Sequence, residues 1–95
     1  MLKLTDDGAK ITLQGQSNAA MSGMISSGIL WVRAGELVHD NLGKREHIHL
    51  SDGDKITLIG EQLQIVDSSD VRKYHITGFE SAQEAKAAKA ILEGQ

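Results

Sequence analysis

The chain contains no cysteine and no proline, and it has only three aromatic residues, Trp31, Tyr74 and Phe79. Without cysteine, a disulfide framework, a thiolate metal centre and a cysteine nucleophile are all excluded. Three scattered aromatics do not make a stacking platform for single-stranded nucleic acid. No run of about 18 apolar residues occurs, so nothing reads as a transmembrane helix. The opening residues, Met1 to Asp7, lack the apolar core of a signal peptide. Glycine-rich phosphate loops are missing. No serine sits in a nucleophile-elbow context, and no Ser/His/Asp set can be assigned. These absences lead us to expect a soluble, cytoplasmic protein that is more readily a binding module than an enzyme.

What is present fits a single domain over residues 1–95, with the apolar and charged content of an ordinary globular protein. A chain of this length buries a modest core, so association with itself or with a partner would add stability. Ten basic and thirteen acidic residues give a net charge of −3. That balance disfavours broad binding to nucleic acid or to anionic membranes. The basic doublets Lys44-Arg45 and Arg72-Lys73 have acidic neighbours and read as solvated loop ends. Nucleic-acid binding through those four residues would require them on one face.

Short alternating runs bounded by turn residues predict strands within 9–78. Ile11 and Leu13 share one face of the first run. Residues 29–33 and 36–39 flank Ala34-Gly35 as a hairpin. In residues 46–50, Ile48 and Leu50 face one way and His47 and His49 the other. Ser51-Asp52-Gly53-Asp54 is the clearest turn. Residues 55–59 and 62–66 form a second hairpin, with Ile56 and Leu58 opposite Leu63 and Ile65. A last strand covers 71–77. The stretch 7–16 echoes 52–61, but a shared turn-strand-turn formula accounts for that, and two copies do not make a repeat protein.

A helix is predicted over 81–93. Ser81-Ala82-Gln83-Glu84 is a capping box, alanines follow, and Ala85, Ala88, Ile91 and Leu92 form one apolar stripe. Gly94 suits the position past the helix end. The fold class is therefore α+β: a small antiparallel sandwich or partly open barrel of about six or seven short strands, with one C-terminal amphipathic helix. This element order resembles that of pleckstrin-homology-like domains. The helix tryptophan of those domains is absent, as are the basic residues after the first strand, so lipid binding is not carried over.

From Ile11 to Val32 there is no charged residue. The loop 15–28 within that window is small and mildly apolar. A neutral surface segment is covered by the fold, covered by a partner, or floppy. Met21 and Met24 are adaptable contact residues, and Trp31 is an anchor if exposed. The partner-binding candidates are Met21, Met24, Ile25 and Trp31. The competing reading puts Trp31 in the core.

His47-Ile48-His49 places two imidazoles on one strand face, a spacing that lets both ligate one metal ion. His75, His39 or Asp54 would supply a third ligand. With Gly43, His47, His49, Asp54 and Gly60, the stretch faintly resembles the first cupin motif. Cupins carry Glu where Asp54 stands, the spacing differs on both sides, and the second motif needs a proline that this chain lacks. His39-Asp40 resembles the His-Asp doublet of metal phosphohydrolases, which belongs to larger all-helical domains.

The expected function is a non-catalytic protein-interaction or assembly module. It would act as a subunit of a larger complex, including a viral or phage particle, or as a small inhibitor or adaptor. The alternative is a small metal-binding protein or metal-dependent enzyme holding one divalent ion through His47, His49 and His75.

Overall fold

Alternation of apolar and polar residues along each strand sets two sheets face to face, with one side of each turned inward. A computed structural model of the chain describes residues 2–15, 23–41 and 43–94. The first sheet contains β1 (Leu2–Thr5), β2 (Gly8–Gln14), β4 (Ser27–Arg33), β5 (Glu36–Asn41) and β6 (Lys44–His49), in the order β1-β2-β4-β5-β6. The second contains β3 (Met24–Ile25), β7 (Lys55–Ile59), β8 (Gln62–Val66) and β9 (Arg72–Ile76), in the order β3-β9-β8-β7. One helix, α1 (Ala82–Leu92), follows. The architecture is the expected α+β sandwich with a C-terminal helix, and the sheets do not close into a barrel.

The core forms where the inward faces meet. Ile11 and Leu13 of β2, Leu30 and Val32 of β4, Leu37 of β5 and Ile48 of β6 are buried from one side. Leu63, Ile65 and Ile76 are buried from the other, with Ile25 and Phe79 beside them. Both predicted hairpins form. In the second, Ile56 opposes Ile65 and Leu58 opposes Leu63.

Nine strands occur among the described residues, more than the six or seven expected. The additions are β1, outside the 9–78 window, and β3, inside the predicted loop 15–28. A four-residue run such as Leu2–Thr5 is a strand only through pairing with β2, where Leu2 opposes Ile11. The two residues of β3 pair parallel with β9, Ile25 beside Ile76. No local pattern announces a contact between residues that far apart in sequence.

At its start, α1 departs slightly from the expected capping box. Ser81 Oγ accepts from the Glu84 amide at 3.2 Å. The Glu84 carboxylate accepts from the Glu80 amide at 3.0 Å, one residue earlier than the usual N-cap partner. Ala85, Ala88 and Leu92 are buried. The small alanine side chains let the helix approach β4 of one sheet and β7 and β8 of the other. The Gly35 amide donates to Leu92 O at 2.9 Å, tying the end of the helix to the β4–β5 turn.

Candidate functional site

In an antiparallel sheet, directly opposed residues share a face, so the register assigns every side chain of the first sheet to the core or to the outside. One outer row runs Lys3, Lys10, Trp31, Val38, His47 across all five strands. Beside it lie Arg33, Glu36 and His49. On the other side lie Thr12, Ile29, Asp40 and Arg45.

Trp31 is therefore not a core residue. It is half-buried on the outer face, on the side of β4 opposite Leu30 and Val32. Arg45 reaches across β5 and lays its guanidinium over the indole, 4.9 Å from the ring centroid, a cation–π arrangement. Val38 lies between them on the outer face, yet it is only 4% exposed. These residues form the floor of a depression of about 230 Å³ lined by Asp7, Trp31, Arg33, Val38, Arg45 and His47.

Charge on this face is organised around Glu36. Its Oε1 lies 3.3 Å from Arg33 Nη2. Its Oε2 lies 3.6 Å from His47 Nδ1 and 3.4 Å from His49 Nε2. Asp40 Oδ2 lies 3.4 Å from Arg45 Nη2. Lys3 and Lys10 oppose one another directly and have no ion pair among the described residues.

The histidine set expected for a metal divides between the two sheets. His47 and His49 share the outer face of β6, as the alternation predicted, with Glu36 as their common neighbour. His75 sits on β9, where its Nε2 lies 2.7 Å from Gln62 Oε1 and its Nδ1 is buried without a partner. It faces away from the core on the opposite side of the sandwich, because Ile76, its neighbour in the strand, faces inward. His39 Nε2 donates to the Ser27 carbonyl at 2.7 Å. Asp54 pairs with Lys73 at 2.9 Å. Among the described residues, no group of three or more His, Asp or Glu side chains is placed to hold a metal ion.

The three partner-binding candidates among the described residues do not form one surface either. Ile25 is buried in the core. Met24 lies opposite His75 on the second sheet. Met21 lies outside the described residues. Of the three described candidates, Trp31 alone reaches the outer face of the first sheet. The basic doublets also separate, with Arg45 on β6 and Arg72 and Lys73 on β9.

Reasoning from the sequence missed Lys3, Lys10, Arg33 and Val38. The signal that gathers them is cross-strand register, which places Lys10 beside Trp31 only after β2 and β4 have paired. Among the described residues, no helix is long and apolar enough to cross a membrane. No protein-family model, no curated protein and no solved structure matches the chain.

Proposed function

We propose that the protein is a non-catalytic interaction module and that it docks a partner protein on the outer face of the five-stranded sheet. One observation carries the reading: the sole tryptophan is on the solvent side of a sheet whose inner side already supplies the core. An indole on the outer face, beside Val38 and within a charged rim, matches the anatomy of a binding hot spot. Tryptophan and arginine are the residue types enriched at such centres, and here they are stacked on one another.

The depression also argues for a polypeptide ligand. Small-molecule sites run to roughly 300–1,000 Å³. A hollow of about 230 Å³ accommodates one or two side chains of a partner.

Site-specific photo-crosslinking tests the proposal. A photoreactive phenylalanine analogue replaces Trp31, and in a second protein it replaces Gln64 on the opposite sheet. In the cells that make the protein, the probe at 31 is expected to yield a discrete protein adduct and the probe at 64 none. An adduct of twice the chain mass identifies the partner as a second copy. Absence of any adduct at 31, or equal adducts from both positions, overturns the proposal.

A further inference from the structure

The outer face of the first sheet is basic although the chain is acidic. Lys3, Lys10, Arg33 and Arg45 lie on it, against Glu36 and Asp40 on the same face of its strands and Asp7, which lines the depression from the β1–β2 turn. Both strand carboxylates have basic neighbours, Glu36 the Arg33 guanidinium and two imidazoles, and Asp40 the Arg45 guanidinium. Lys3 and Lys10 have no ion-pair partner among the described residues. They are a directly opposed cross-strand pair of like charge, an arrangement that destabilises a sheet. Their row continues into Trp31.

We infer that the ligand of this face is an Asp- and Glu-rich segment of the partner protein. It lies across β1, β2 and β4, with its carboxylates on Lys3, Lys10 and Arg45 and an apolar side chain against Trp31 and Val38. This rests on the interaction reading above and specifies the chemistry of the partner. An incoming carboxylate turns the repulsion between Lys3 and Lys10 into two attractions. Arg45, over the indole, has Nη2 on Asp40 at 3.4 Å and offers its remaining N–H groups to a second carboxylate. A nucleic acid fits less well. Trp31 is the one aromatic on the face, whereas single strands are held by several stacked bases.

The test uses the whole chain at low ionic strength, with Trp31 fluorescence and calorimetry as readouts. The probe is a short synthetic peptide of Asp and Glu with one central Leu. The comparison ligands are the same peptide with Lys at every acidic position and a short thymidine oligonucleotide. Saturable binding of the acidic peptide is expected, weakened by added salt. Lys10→Glu is expected to weaken it by about tenfold or more. The melting temperature of that variant is expected to stay level or rise, because the like-charge pair becomes an opposite-charge pair. Lys3→Glu, on the exposed edge strand, repeats the test without touching a buried side chain.

The inference is overturned if the acidic peptide does not bind, if both variants bind it unchanged, if the Lys peptide binds equally well, or if the oligonucleotide binds more tightly. A crosslink at position 31 without acidic-peptide binding overturns the acidic ligand alone. Absence of the crosslink overturns the interaction reading itself.

Discussion

Asp54 accepts two hydrogen bonds through one oxygen, from the Ser51 amide at 2.8 Å and from the Lys73 ammonium at 2.9 Å. Its side chain is only 2% exposed. The amide of Ser51 first, and the Lys73 ammonium second, hold its carboxyl below the ordinary range, while burial opposes them. Donating that hydrogen bond to Asp54 raises the Lys73 ammonium above its usual value. For a carboxyl depressed in the folded state, the stabilisation is present above the unfolded pKa, about 3.9, and is lost as pH falls through the folded value. For the raised Lys73 the stabilisation is present below about 10.4 and is lost as pH rises through its folded value. Asp54→Asn is thus expected to be less stable than wild type at neutral pH. The gap narrows as the solution is acidified below about pH 3.9. Urea unfolding across that range measures it, and a gap that persists undiminished in acid would assign the effect to something other than the carboxylate charge.

At the scale of elements, the sandwich depends on places where strands leave one sheet and enter the other. Ser26 separates β3 of the second sheet from β4 of the first. There the Gln14 amide donates to Gly78 O at 2.7 Å and the Thr77 amide to Ile25 O at 2.8 Å. Gly78 has φ of +86°, and a Cβ on it would lie 2.5 Å from Ser26 O and 2.9 Å from Gly15 N. Both partners are backbone, so they have no rotamer with which to yield. Gly60, in the β7–β8 turn, has φ of +60° and open space where its Cβ would be. Gly60→Ala is expected to cost about 1–2 kcal/mol, the left-handed strain alone. Gly78→Ala is expected to cost more, because the steric clash adds to that strain. Equal losses in chemical denaturation would show that the crossover accommodates a methyl group and that backbone conformation accounts for the whole effect.

At the scale of the molecule, the helix joins the two sheets while the outer face that carries Trp31 lies on the far side of one of them. Leu92 is 2% exposed in the core and its carbonyl accepts the Gly35 amide. Leu92→Ala is expected to cost about 2–5 kcal/mol, a large part of the roughly 5–15 kcal/mol that stabilises a domain. If the two sheets and the helix unfold as one unit, helical circular dichroism and Trp31 fluorescence will shift to lower denaturant together. A fluorescence midpoint that stays in place while the helix signal moves would mean that the first sheet is stable without α1.

Much of this organisation is legible in the chain. The alternation of Ile11 and Leu13, of Ile48 between His47 and His49, and of Leu63 and Ile65 follows from the two-residue period of a strand. Ser81, Glu84 and the alanine stripe identify the helix, because capping and the helical period are local. Turns at Gly35, Gly53 and Gly60 are equally local, since each needs a positive φ that glycine tolerates. The candidate site was not legible in that way. Alternation puts His47 and His49 on one face, but that His75 belongs to the other sheet is not visible in any local pattern. The residue type of Trp31 marks it as an anchor if exposed, but its neighbours on the outer face come from other strands and are set by register.

Sequence periodicity by itself determined that this chain makes short strands and one C-terminal helix, because hydrogen bonds and side-chain alternation within a few residues specify them. Tertiary structure alone decided which strands are neighbours. Register brings Lys3, Lys10, Trp31, Val38 and His47 into one row from five separate segments. Pairing free energy depends on the burial of the whole inner face, and no local window contains that information.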